Sequence, residues 1–191
     1  MAQNRENGAC KTCQEIVNLM IPDVWNLKAE AVTESTAYCK VTGTISKEIN
    51  FELLLPEAWN QRFVMGGGGG FVGSVQNSAR HKVHEGYATV GTDTGHKGAG
   101  IKAEWAYNNM ERQINYGYLA VHRTAEVAKY IIKEYYCSAP LYSYFTGCSR
   151  GGGQAMHEAQ KYPGDFDGIV SAAPVISFTA TGAEFIQNCR A

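Results

Sequence analysis

The sequence predicts an α/β domain in which a mainly parallel sheet is flanked by helices. Three observations carry this. From residue 61 onward, short apolar or β-branched runs alternate with segments of helical period, the pattern of strands buried between crossover helices. Ile114, Tyr118, Val121, Ala125, Ala128 and Ile132 recur at spacings of three and four, so the region from Arg112 to Tyr136 has one apolar face. Gly147-Cys148-Ser149-Arg150-Gly151 sets Gly-x-Ser-x-Gly between a strand-like run and a helix-like one.

Cys10 to Met20 reads as a short helix stopped by Pro22. Two β segments follow, around Ala29–Ile45 and Ile49–Leu55, and Pro56 to Asn60 is a loop. Arg62-Phe63-Val64-Met65 is a buried strand running into five consecutive glycines, Gly66 to Gly70. Ser74 to Glu85 can form a helix with Ser74 as N-cap. Tyr87 to Thr92 is the next strand, ending at Asp93. Pro140 ends the long helical segment, Leu141 to Thr146 is a strand, Gly152 to Tyr162 a helix, and Gly168 to Ala173 another strand before Pro174. No repeat or linker divides the chain, so residues 1–191 form a single domain.

With 191 residues, 45% of them hydrophobic and 18% charged, the chain can bury a substantial core. A formal net charge of −1 supplies no field to attract nucleic acid or an anionic membrane surface. No apolar run approaches the length of a bilayer span. The polar start, Met1 to Asn7, lacks the apolar core of a signal peptide; the protein stays inside, or its signal has been removed. Six cysteines include one Cys-x-x-Cys, Cys10 and Cys13, with no second pair at zinc spacing. Structural disulfides are the preferred reading, with Cys13 to Cys39 the first candidate.

Gly-x-Ser-x-Gly between strand and helix is the sequence form of a nucleophile elbow, which exposes a serine hydroxyl above a sheet. Ser149 is therefore the candidate nucleophile. The oxyanion donors expected for it are the amide of Arg150 and the amides of Gly67, Gly68 and Gly69 in the glycine run. A serine hydrolase also needs a histidine base and a carboxylate to orient it. Of the five histidines, His81, His84, His96, His122 and His157, only His157 follows the serine. It lies roughly 12 Å of helix rise from it, out of reach. Asp165 and Asp167 are the downstream aspartates, and no histidine follows them. The triad is incomplete within these residues, and the chain alone is expected to be nearly inactive.

Gly68, Gly70 and Gly73 also fit Gly-x-Gly-x-x-Gly, with Asp93 twenty positions after the last glycine. That is the alternative of a Rossmann-type dinucleotide-dependent oxidoreductase. Against it stand the β segments before the motif and the unexplained elbow. Asp93-Thr94-Gly95-His96 reads as a loop of small polar residues with a capping aspartate. Trp25, Trp59 and Trp105 are expected in the core or at its rim, and His81, His84 and His122 as surface or packing residues.

Several blocks, in order, carry a more specific signal. They are Phe51 to Pro56 with Trp59-Asn60, the glycine run into Phe71-Val72-Gly73-Ser74, and Gly91 to His96. Tyr116-Gly117-Tyr118 with Ala120-Val121-His122 follows, then Tyr144 to Ser149 with Gly151-Gly152. The last is Glu158 to Pro163 with Asp165-Phe166-Asp167-Gly168-Ile169-Val170. From about Cys13 to Pro174 the chain resembles the tannase/feruloyl esterase family of α/β hydrolases. The resemblance implies a partial α/β-hydrolase fold and a secreted or periplasmic serine esterase that cleaves small phenolic acid esters through an acyl-enzyme. It implies that Cys148 pairs with a cysteine beside the catalytic histidine. It places a lid domain with a calcium site after the strand at Gly168–Ala173. Acid, base, lid and calcium are then expected outside residues 1–191, on a C-terminal segment or a second chain; a non-catalytic remnant that binds phenolics is the other alternative. Arg150 stands where relatives often have a small or hydroxylated residue.

Overall fold

The structure is a computed structural model that describes residues 8–33 and 35–190. Seven strands form one sheet in the order β1-β2-β3-β5-β4-β6-β7. β1 (Val24–Thr33), β2 (Ala37–Ile45) and β3 (Ile49–Pro56) make an antiparallel meander, and β3 pairs antiparallel with β5 (Ala88–Thr92). β5, β4 (Arg62–Gly66), β6 (Tyr142–Cys148) and β7 (Gly168–Ala172) are mutually parallel. The parallel part begins where the strand–helix alternation predicts. The segment expected as one β unit over Ala29–Ile45 is a hairpin of β1 and β2, with Thr33 opposite Ala37 as its last pair. The N-terminal helix expected over Cys10–Met20 is a 3-10 turn, Cys13–Asn18, started by a reciprocal Thr12–Glu15 capping box.

The long helical segment is a single path with a widened turn inside it. α1 (Met110–Ile114) runs through a π turn (Asn115–Leu119) into α2 (Ala120–Tyr136). Val121, Ala125, Ala128 and Ile132 are buried on the predicted face, against Phe51, Leu53, Val90 and Phe145 of the sheet. α3 (Arg150–Lys161) packs on β6 and β7, and α4 (Phe178–Asn188) follows β7. A smaller cluster of Tyr38, Leu54 and Val83 is separate from this core. It reflects the alternation of β3, whose Leu53 and Leu54 point to opposite faces.

α2 ends at Cys137, whose φ of 54° breaks the helix, and Cys137 is bonded to Cys10. The expected Cys13–Cys39 disulfide is present as well. Beside the helix end, Trp59 stacks on Tyr136 at 4.0 Å between ring centroids, and the Tyr136 hydroxyl donates to the Pro56 carbonyl at 2.6 Å. Trp59 thus sits in the core as predicted. Trp25 does not: it is 62% exposed on the outer strand β1.

The helix expected over Ser74–Glu85 shrinks to a 3-10 turn at Arg80–Glu85, and Ser74 caps nothing. Its first half instead lies flat on the sheet. The Gln76 amide donates to the Thr92 carbonyl, and the Asn77 side chain reaches Thr89 Oγ1 at 2.9 Å. This approach depends on Gly66 and Gly91. A Cβ on Gly91 would overlap the Gln76 carbonyl oxygen, and one on Gly66 the Asn77 side chain. Gly91→Ala is expected to destabilise the chain by about 1–3 kcal/mol in urea unfolding. Gly164→Ala, at a glycine with no heavy atom within 4 Å of its added Cβ, should stay within about 0.5 kcal/mol. Equal effects would refute the docking of this segment on the sheet.

Candidate active site

β6 delivers its chain to the carboxyl edge of the sheet and turns at once into α3. Ser149, at that turn, has φ 58° and ψ −118°, a conformation that side chains rarely adopt. Such a residue costs about 1–3 kcal/mol and persists only where its surroundings fix it. They do so here through the main chain. The Ser149 amide donates to the Ala172 carbonyl at the end of β7, and its carbonyl accepts from the amides of Gly153 and Val175. Ser149 is exposed, and its hydroxyl makes no hydrogen bond among the described residues.

The flanking glycines are required by contact. A Cβ on Gly147 would overlap the carbonyl group of Gly151, and one on Gly152 the Ala172 carbonyl oxygen. The glycine run after β4 lies directly against the elbow: a Cβ on Gly67 would stand 2.8 Å from Gly151 Cα. The structure therefore brings Ser149, Arg150 and the glycine run together.

Their amides are in different situations. Arg150 opens α3, where amides have no partner inside the helix. Gly67 donates to the Thr146 carbonyl at 2.8 Å, extending the β4–β6 ladder, so its amide is committed to the sheet and is not a free oxyanion donor. Gly68 donates to Gln154 Oε1 at 3.1 Å in a buried contact, and Gly69 to Gln76 Oε1 at 2.8 Å in a part-buried one. Neither glutamine was singled out from the sequence. Gln154 could have been, because it lies three residues after Gly151 and so shares the helix face turned to the glycine run.

Arg150 is buried. Its guanidinium lies 4.4 Å from the Tyr116 ring centroid and 5.5 Å from that of Phe178, and donates to the carbonyls of Tyr116 and Gly117. Those carbonyls belong to the π turn, whose widened geometry loosens main-chain pairing. Arg150 thus ties the π turn to the elbow. The Tyr116 hydroxyl donates to the Gly70 carbonyl at 3.1 Å, which links the same turn to the glycine run.

The tannase and feruloyl esterase family matches residues 31–190. The chain belongs to that family. It is 38% identical over 144 residues to an uncharacterized esterase of Xanthomonas campestris pv. campestris, covering 72% of this chain and 25% of that protein. It is 34% identical over 174 residues to a probable feruloyl esterase B-1 of Aspergillus oryzae, covering 86% and 32%. The crystal structure of feruloyl esterase B from Aspergillus oryzae superposes with a TM-score of 0.75 at 28% identity, over 85% of this chain and 36% of that one. The chain thus spans about a quarter to a third of the length of these curated relatives. The likeness identifies the sheet and its helices as part of an α/β-hydrolase-type fold.

No histidine among the described residues is hydrogen-bonded to Ser149. His96 is fully buried, stacked on Trp105 at 3.6 Å, and donates Nε2–H to the Phe71 carbonyl at 2.8 Å. Burial holds its imidazole below the usual histidine range. His122 contacts Asp165 between the helices, His84 contacts Thr36, and His157 lies further along α3. Asp93 caps its loop as predicted, accepting from the Asn50 amide, the Asn50 side chain and the Gly95 amide.

Those bonds also correct the dinucleotide reading. The Asp93 carboxylate is buried and already takes three hydrogen bonds from Asn50 and Gly95, and the next helical turn after Gly73 begins only at Arg80, too late to receive a pyrophosphate there. Gly70, with φ 56°, and Gly73, with φ 81°, instead let the loop pack on Gly98 and Gly100. Cys148 is exposed and unpaired, as is Cys189. Calcium takes an all-oxygen shell. Among the described residues the one grouping of three candidate ligands is His122, Glu158 and Asp165, whose imidazole does not suit it.

His96 gives the site a pH dependence with a definite sign. Its folded pKa lies below the unfolded value near 6.5, so its contribution to stability is fully present above that pH. It is lost as pH falls from about 6.5 through the lower folded value, because the unfolded chain binds the proton first. The urea midpoint should drop below pH 6.5 more steeply for this protein than for His96→Gln. Parallel profiles would contradict the neutral, buried imidazole.

Proposed function

We propose that the chain is the nucleophile-bearing part of a serine carboxylic-ester hydrolase that cleaves esters of phenolic acids through an acyl-enzyme. The observation that carries this reading is the exposed Ser149 at φ 58° on a strand-to-helix turn, packed against a side-chain-free glycine run. The family relatives named as feruloyl esterases support the substrate class.

In this reading Ser149 Oγ attacks the ester carbonyl and the oxyanion lies against the Arg150 amide. Gly69 supplies the second donor, because its partner Gln76 is a part-buried side chain that a substrate oxygen can displace. Gly68 and Gln154 form the buried support behind it. The general base and its carboxylate would come from polypeptide beyond the described residues, and Cys148, whose thiol is free and exposed, would pair there too. Two disulfides support an oxidising, extracytoplasmic location. The electrostatics give no reason for nucleic acid or membrane as partner.

A chimera tests this directly, with the present chain replacing the matching segment of Aspergillus oryzae feruloyl esterase B. It should hydrolyse methyl ferulate, and Ser149→Ala should lower turnover on the order of a millionfold. The present chain by itself should show no turnover above that variant. Hydrolysis that survives Ser149→Ala would overturn the assignment.

A further inference from the structure

A second cluster of chemistry-bearing side chains lies away from the elbow, where α2 meets α3 and the loop before β7. His122 comes from α2, Glu158 from α3 and Asp165 from the loop, and one ligand atom of each lies within 4.8 Å of the others. We infer that these three side chains form a binding site for one divalent transition cation of the zinc type, distinct from the proposed esterase centre.

Glu158 provides the main argument. It is fully buried, and neither carboxylate oxygen has a hydrogen-bond donor. An unpaired polar group in that position is costly and calls for a proton or a cation. The surrounding charges supply a cation only at longer range, from Lys129. Lys129 on α2 donates its ammonium to the main-chain carbonyl of Asp165, and no ion pair joins it to Glu158. Glu126 on α2 reaches His122 Nε2 at 3.5 Å, and Asp167 accepts from the Ser143 amide. A second carboxylate, Asp165, also faces Glu158.

The donor set then selects the ion. One imidazole and two carboxylates suit zinc and its neighbours, which take three protein ligands and leave a fourth position for water. The imidazole is already placed. It stacks on Tyr162 with centroids 3.7 Å apart and planes 5° from parallel, and its Nδ1 lies 2.6 Å from Asp165 Oδ2. A bound cation would take the position of the proton shared there and draw in Glu158. Binding would release protons, since each ligand coordinates in its deprotonated form. The ion would tie α2 to α3, the helix whose first residue follows the nucleophile.

The test uses the full chain with Cys148→Ser and Cys189→Ser, so that free thiols cannot act as ligands. Zinc chloride is titrated against a chromophoric chelator, and thermal unfolding is followed with zinc and with EDTA. One equivalent should bind and raise the unfolding temperature. Glu158→Gln and His122→Gln, each confirmed folded by circular dichroism, should each weaken binding at least about tenfold and abolish the shift. Because His122 is partly exposed, its variant keeps the test open if Glu158→Gln fails to fold. Absence of saturable binding, or affinity unchanged in a folded variant, would overturn the site.

Discussion

The site depends on a contact between two stretches of backbone that carry no side chains. Gly67, just past β4, rests on Gly151, in the first turn of α3. Because neither residue has a Cβ, the loop after one parallel strand and the helix after its neighbour come together more closely than any other residue pair would permit. That closeness places the glycine run beside Ser149. It also explains the register: β4 and β6 are adjacent and parallel, with Gly66 opposite Thr146, so both chains leave the sheet at the same level.

Around this contact the structure uses main-chain hydrogen bonds where a strained residue needs them. Ser149 is held from β7 through Ala172 and from the following segment through Val175. The Arg150 side chain is turned inward and buried. It is stacked on Tyr116 and bonded to the π turn, so it braces the elbow, while its own amide lies in the first turn of α3, where amides have no partner inside the helix. One residue thereby serves two ends, which accounts for a large charged side chain at a position where the resemblance leads one to expect a small or hydroxylated one.

The legible parts of the sequence were those set by local rules. α2 follows from apolar residues at spacings of three and four, and the elbow from Gly147, Ser149 and Gly151 between strand and helix. Cys13 with Cys39 also paired as expected. What escaped sequence reasoning was set by tertiary approach. Nothing local shows that Gly66 and Gly91 clear a path for Gln76 and Asn77, so that segment read as a helix. The Cys10–Cys137 bond joins positions 127 residues apart. His122, Glu158 and Asp165 come from three separate elements, and only the packing of α2 on α3 assembles them. The amides of Gly67, Gly68 and Gly69 read alike in sequence. Their different partners appear only once Thr146, Gln154 and Gln76 are placed in space.

The most direct measurement is the unfolding free energy of Gly147→Ala beside that of Cys148→Ala, by urea titration. Gly147 has the Gly151 carbonyl where a methyl group would go, whereas Cys148 is exposed. The approach of Gly147 to Gly151 predicts a loss of about 2 kcal/mol or more for the first and a change within about 0.5 kcal/mol for the second. Equal small effects would show that the elbow is not held by the approach of Gly147 to Gly151, and the seating of Gly151 against Gly67 that depends on the same turn would lose its support.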